Sequence, residues 1–506
     1  MDIVVAIDLG TSSIRTTAYS LSGEVVASKG REISLQVVGD RVEQDARSIG
    51  NTTLELLKLL ESALAEKSKD VIAMGITNQR ESTVGWRRGS NEILSPLISW
   101  QDGRGQDSLA RIDAEGASKV IVDKTGLAMS PYFSATKMES IVQMSSISSY
   151  GDGAMGTLDS YIVYLLTGAT LESPFITDPS NASRTMIYNI DTFSFDDELL
   201  SLFSIPKRLL PDVSPTTVSD VKVGRGLPFA GVPIASIAGD QQASLFGQGR
   251  FEVGSTKVTH GTGTFILSNA GQMRRRPKHG LLESIGWHLR TNDIGDRIVY
   301  VTEGTVFTTG SAIRYLRDNL SLIADYDEID EVAGSVRDSD TVTFIPSFSG
   351  LGTPYWRRDV GAAIYGLSAS TTKGHIVRAA LEGVAIRTTQ VIEQMEVALE
   401  EAISSITCDG GLTRSKLYLQ IQADQSNREI TLPKVAESSS YGAFLMAAIS
   451  IGAIDMSQAN DLIKFAQVIT PSKKSYSSSQ RRQRFENYLT RHLNHNGLGT
   501  GESELN

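Results

Sequence analysis

A strand, a turn of small residues and a returning strand occur twice in this chain, about half its length apart. The first copy is "IVVAIDLGTSSIRTTAYS", Ile3 to Ser20, and the second is "STKVTHGTGTFILSN", Ser255 to Asn269. An apolar run that enters Gly, Thr and Ser and then returns predicts a β-hairpin. It is not the strand-to-helix start of a dinucleotide-binding fold. Two such hairpins predict two similar lobes facing each other. Strands and helices alternate along the rest, so the class is α/β. Leu54, Leu57, Leu60 and Leu64 share one helix face, and Val71 to Ile76 reads as a buried strand. Residues 373–400 form a long amphipathic helix on the spacing of Val377, Leu381, Val384, Val391, Met395 and Leu399. Gly247, Gly249 and Gly254 cluster between the halves. The division is therefore expected at 1–249 and 250–506, with a flexible tail after about residue 494.

The length of 506 residues requires more than one core. The charge balance, 48 − 58 = −10, argues against nucleic acid or an anionic membrane as the main partner. No apolar run reaches the roughly 18 residues that would span a bilayer, so membrane insertion is not expected. Met1-Asp2-Ile3 enters a strand without a basic leader, so no signal peptide is expected. A lone cysteine, Cys408, fits an intracellular, cytoplasmic protein. The six histidines show no metal-ligand spacing.

The chemistry gathers at the turns. Thr11-Ser12-Ser13 and Gly261-Thr262-Gly263 offer hydroxyls and unobstructed backbone N–H groups, the donors a phosphate needs. One such turn is an ordinary hairpin; two facing ones point to a nucleoside triphosphate between lobes. No P-loop or G-x-G-x-x-G pattern is present. Asp8 stands directly before the first turn, where a carboxylate repels phosphate unless a cation such as Mg2+ lies between them; an Asx-type turn is its bland alternative. Arg15 either neutralises phosphate or caps the strand end. Asp409-Gly410-Gly411 lets a flat ligand approach the backbone. Asp240, with Gln241 beside it, follows the strand Ile234 to Ile237 and is placed either to take a hydroxyl proton or to cap a helix. "NQRE", Asn78 to Glu81, sets opposite charges at the mouth of a strand, as a surface salt bridge or as a donor–acceptor pair for a small polar ligand.

Taken together, the segments resemble the FGGY family of carbohydrate kinases. The ordered pieces are "AIDLGTSSIR", "GITNQREST", "ISWQDGR", "PYFSATK", "GTLDSYIVYLLTG", "TDPSNASRTM", "IAGDQQASLFGQ", "HGTGTF", "FSGLGTPYW", "GAAIYGLSASTTKGHIVRAALEG" and "DGGL". The resemblance implies an actin-like, ribonuclease-H-like fold in two lobes, with ATP and substrate in the cleft between them. "NQRE" and "GDQQ" resemble members that phosphorylate glycerol. On that resemblance Arg80, Glu81, Tyr132, Asp240 and Gln241 bind glycerol hydroxyls, with Arg80 donating and Glu81 accepting. Trp100 and Phe265 pack its carbon side. Asp240 is the general base, and Asp8 and Asp240 hold Mg2+. Thr11, Ser12, Ser13, Arg15, Thr262, Gly310, Arg314, Gly411 and Ser415 contact the nucleotide. The chain departs from the family's usual residues at Leu9, Gly103, Ser140, His260, Arg314 and Ser415, mostly beside the nucleotide. A homo-oligomer, dimer or tetramer, is implied as well. The competing readings are a kinase for another polyol or ketose, and a non-catalytic, ATP-gated interaction protein.

Overall fold

The computed structural model describes residues 2–278, 280–472 and 476–496. The first lobe is built on a five-stranded sheet. Strands β1 (Ile3–Leu9), β2 (Ser13–Ser20) and β3 (Val25–Glu32) form an antiparallel meander, and β4 (Val71–Asn78) and β5 (Ile234–Gly239) add in parallel to give the order β5-β4-β1-β2-β3. Central β1 is apolar on both faces because both are covered, the usual reading of a continuous Val/Ile run. Helix α1 (Ala46–Leu64) covers one face with Ile49, Leu56, Leu57, Leu60 and Leu64, and Asp45 caps its start by accepting from the Ser48 N–H at 3.1 Å. Helix α2 (Asp240–Gly247) leaves directly from the end of β5.

The second lobe repeats the plan on a seven-stranded sheet. Its strands are β6 (Thr256–His260), β7 (Thr264–Gly271), β8 (Leu282–Thr291), β9 (Gly295–Val306), β10 (Ser405–Asp409), β11 (Glu429–Pro433) and β12 (Phe465–Ile469). The order is β8-β9-β7-β6-β10-β11-β12, with β6–β7–β9 antiparallel and β6–β10–β11 parallel. The core β9-β7-β6-β10-β11 therefore has the same spatial order and pairing senses as β3-β2-β1-β4-β5, with β8 inserted between β7 and β9 in the chain. The two hairpin tips seen in the sequence occupy equivalent corners of the two sheets.

Helices α3 (Gly310–Asp318), α4 (Lys373–Leu399) and α5 (Lys416–Ser426) pack around the second sheet. Helix α6 (Ser438–Ser450) does not stay with it: α6 lies against α2 and strands β1, β4 and β5 of the first lobe. Gly442 permits this, since a Cβ there would come within 1.8 Å of the Ala243 carbonyl oxygen. Helix α7 (Tyr476–Asn496) closes the described chain, and the rest of the tail expected beyond about residue 494 lies outside the described residues. Among the described residues no helix is long and apolar enough to cross a membrane.

Candidate active site

The "NQRE" stretch follows β4 directly. Glu81 has φ of +62°, and the Ser82 N–H donates to the Arg80 carbonyl at 2.7 Å, a three-residue turn. A left-handed Glu costs on the order of 1–3 kcal/mol. It is held by the Ser134 and Thr83 hydroxyls, which donate to the Glu81 carbonyl at 2.9 and 3.0 Å. The turn sends the two charged side chains apart, leaving Arg80 Nε 3.9 Å from Glu81 Oε1. They are not each other's main partner, and both are buried, so the surface salt bridge that is one reading of "NQRE" does not form. Arg80 Nη1 donates to both oxygens of Glu303, at 3.0 and 2.9 Å, and to Gln242 Oε1 at 3.1 Å. Glu81 accepts from Arg184 Nε at 2.6 Å, and Arg184 Nη1 lies 3.3 Å from Glu303.

Two cations and two anions thus alternate, none with a side chain more than 3% exposed. Burial alone would push Glu303 up; Arg184 and Arg80 outweigh it and hold its carboxyl below the usual range. Burial works against the Arg80 cation, but Glu303 and Glu81 raise its pKa above the ordinary value. Arg184 and Glu303 went unrecognised in the sequence. Arg184 sits within the quoted "TDPSNASRTM" stretch, and Glu303 lies 223 positions from Arg80 with no local motif.

Asp240 opens α2, with Gly239 as the capping residue, so the Asp240 carboxylate is not the cap itself. Its Oδ1 lies 3.7 Å from Arg80 Nε and accepts the Gln241 N–H at 2.7 Å. Burial raises its pKa; Arg80 opposes this, Glu81 adds to it and Lys257 opposes it. Beside these charges stand Trp100, Tyr132 and Phe265. Trp100 meets Tyr132 and Phe265 edge-on, with ring centroids 5.6 and 6.0 Å apart. The Tyr132 loop is tied down by buried Lys137, whose Nζ donates to the carbonyls of Pro131, Tyr132 and Phe133 at 2.7, 2.8 and 3.0 Å. Trp100 Nε1 donates to Thr11 Oγ1 at 2.9 Å, which joins the aromatic wall to the first hairpin tip. Phe265 is the second residue of the second hairpin's return strand β7, so both tips converge on Trp100.

The first tip, with Ser12 and Ser13, is closed by the Gly10 N–H donating to the Ser13 carbonyl at 3.0 Å. The second is closed by Gly261 N–H to the Gly263 carbonyl at 2.9 Å. Gly310 packs on that tip, where a Cβ would meet the Gly261 carbonyl at 2.6 Å. His260, Gly261, Thr262, Gly310, Arg314, Tyr326, Gly411 and Arg414 line one cavity of about 180 Å³. His260 is buried, and burial pulls its pKa down to about 3, so the ring is neutral. Ser415 does not open freely onto this cavity. It caps α5 by accepting from the Tyr418 N–H at 2.9 Å and donates to Asp330. Arg15 pairs with Glu437 at 3.3 Å and lines a separate cavity of about 640 Å³. Asp8 is raised to about 7 by burial, then by Asp240 and Glu437, against Arg15. Among the described residues no hydrogen bond reaches its carboxylate.

Two like sheets, each with a small-residue hairpin tip, with a buried charged cluster where they meet, are the plan of the actin-like, two-lobed fold. Family models agree on both halves: the FGGY family of carbohydrate kinases, N-terminal domain, matches residues 3–247, and the C-terminal domain matches residues 256–451. The chain belongs to the FGGY family of carbohydrate kinases. It is 38% identical over 462 residues to a glycerol kinase of Geobacter sp. (strain M21), covering 90% of this chain and 92% of that one. It is 36% identical over 457 residues to a glycerol kinase of Acinetobacter baylyi, covering 89% and 91%. Among solved structures, Plasmodium falciparum glycerol kinase with ADP superposes with a TM-score of 0.90 at 28% identity, over 97% of this chain and 98% of that chain.

Proposed function

We propose that this protein transfers the γ-phosphoryl group of ATP to glycerol, giving sn-glycerol 3-phosphate and ADP. The observation that carries the reading is the buried cluster of Arg80, Glu81 and Asp240 walled by Trp100, Tyr132 and Phe265. A triol needs fixed donors and acceptors on one side and an apolar wall on the other. Arg80 Nε, the guanidinium edge not taken by Glu303, donates to hydroxyl oxygens, while Glu81 and Asp240 accept hydroxyl protons. Asp240 takes the proton of the attacking hydroxyl as the new O–P bond forms and the bond from Pγ to the ADP oxygen breaks. Its proton affinity, raised by burial, suits that task.

We assign the nucleotide to the two hairpin tips and the cavity at Gly310, Arg314 and Gly411. Residues 1–249 then carry the substrate groups other than Phe265, and residues 250–506 most of the nucleotide groups. Asp8 and Asp240 fit a Mg2+ ion: the Asp240 carboxylate raises the pKa of Asp8, and among the described residues Asp8 has no hydrogen-bond donor, so a cation between the two would relieve their repulsion. When bound with phosphates, Mg2+ neutralises their charge. Arg15 and Ser415, each already partnered, have the weaker claims on the nucleotide. In keeping with the lone buried Cys408 we place the enzyme in the cytoplasm, and on family resemblance alone as a homo-oligomer. The test is ADP release with glycerol against a panel of polyols and ketoses. Turnover on xylulose or gluconate in preference to glycerol would overturn the substrate.

A further inference from the structure

Lys257 is a fully buried cation beside the pocket to which the proposed reaction gives no task. It stands on β6 two residues before Thr259, so the two side chains share a face of the strand. Its Nζ donates to Thr259 Oγ1 at 2.7 Å and to Gln241 Oε1 at 2.7 Å. Strand β6 belongs to the second sheet and α2 leaves the first, so the contact joins the lobes. An ammonium has donors only, whereas a primary amide has one acceptor oxygen and one donor nitrogen. The orientation of a glutamine amide has to be inferred from its partners, and here the partner permits one answer: Oε1 faces Lys257. Gln241 Nε2 then points the other way, and among the described residues nothing accepts from it. The neighbouring Gln241 backbone N–H is held by Asp240 Oδ1 at 2.7 Å, so the residue is fixed at both ends.

We propose that Lys257 is a positioning residue that locks the Gln241 amide so that its NH2 group, not its carbonyl, is offered to a substrate hydroxyl oxygen. This rests on the reading of Gln241 as a contact to glycerol. The pocket would then present two preset donors, from Arg80 and Gln241, against the acceptors Glu81 and Asp240. Without Lys257 nothing holds the amide in that orientation, and its turned form sets an acceptor where a donor is needed.

The test is a double-mutant cycle read as glycerol-dependent ADP release, with Lys257→Met, Gln241→Ala and both together. Lys257→Met is expected to raise the glycerol KM roughly tenfold, the loss of one buried donor contact, with kcat and the ATP KM nearly unchanged. In the Gln241→Ala background the same change should add almost nothing, because there is no amide left to orient. An equal effect in both backgrounds, or a loss confined to kcat, would overturn the assignment and put Lys257 to work on the transferring phosphate or the fold. Gln241→Glu, which keeps Lys257 and its partner oxygen, gives an independent reading should Lys257→Met fail to fold. A carboxylate cannot donate, so glycerol affinity should fall as far as in Gln241→Ala; unchanged affinity would show that the pocket-facing atom is an acceptor. If the wild-type enzyme turns over a different polyol and not glycerol, the substrate reading fails, and the same cycle run on that polyol still decides the role of Lys257.

Discussion

The proposed substrate side and the proposed nucleotide side of the cleft are built on opposite electrostatic plans. Arg80, Glu81, Arg184 and Glu303, two side chains of each sign, form one almost wholly buried cluster held by the Arg80–Glu303 and Glu81–Arg184 hydrogen bonds, with Arg184 Nη1 3.3 Å from Glu303. Around Gly411 the wall is backbone, a neutral His260, and Arg314 and Arg414 reaching into solvent. A small neutral triol brings no charge, so its site must supply every donor and acceptor in place and keep them neutral as a set. A nucleotide triphosphate brings several negative charges and a large surface; its site needs open N–H groups and room. Preorganisation is therefore concentrated where the ligand is small.

The largest effect is expected at the residue between the two sides. Asp240→Asn should lower kcat by about 10²–10⁴-fold, because an amide cannot take the hydroxyl proton. ADP binding should stay as in the wild type by calorimetry. Turnover within a few-fold of wild type would remove Asp240 as the base.

Arg80→Ala comes next and tests the charged plan itself. Stripping a buried pair of one member costs about 3–5 kcal/mol. Here Glu303 keeps Arg184 and the Ser284 hydroxyl, so a loss of roughly 2–3 kcal/mol of stability is expected, together with a large rise in glycerol KM. Partner choice is sharper still. Thermal double-mutant cycles should give a larger coupling of Arg80 to Glu303 than to Glu81. The reverse result would restore the adjacent pair as a self-contained unit.

How much of this was legible in the sequence follows the same division. The hairpins, the β4 and β5 strands and the long helix α4 announce themselves because their apolar periods are local. The groups at strand ends, Arg80, Glu81, Asp240 and Thr262, were legible for the same reason. Their partners were not: Arg184 is 103 positions from Glu81 and Glu303 is 223 from Arg80, and only the folded sheets bring them together. Nor could the placement of α6 be read. "SSSYGAFLMAAIS" is buried nearly all round, so no polar face says which sheet it leaves. Ser415 carries an ambiguity of another kind, since a serine before a helix serves as a cap as readily as a ligand contact.

On the nucleotide side effects should be small. Ser415→Ala removes a helix cap and should cost about 1 kcal/mol of stability, while ADP affinity shifts by no more than about 0.5 kcal/mol. A clear loss of ADP affinity at unchanged stability would return Ser415 to the nucleotide.

The smallest predicted effect is a slope with pH, and it tests whether the nucleotide wall is free of buried charge. His260 is held neutral by burial against Tyr418, whose ring meets it edge-on at 5.0 Å, with its Nδ1 2.9 Å from Thr264 Oγ1. Its pKa is about 3 in the folded protein, against 6.5 for an ordinary histidine. Between those values the unfolded chain binds a proton that the folded one refuses, so stability falls as pH drops through the unfolded value and is unaffected above it. From pH 7 to pH 6 the contribution is roughly half to one kcal/mol. His260→Phe removes the titrating group while Thr264 keeps Thr309 and Tyr418 keeps Gln422. The variant's melting temperature should therefore fall less than the wild type's over that interval. Parallel curves would mean that His260 is protonated in place, and that the nucleotide side carries a buried charge after all.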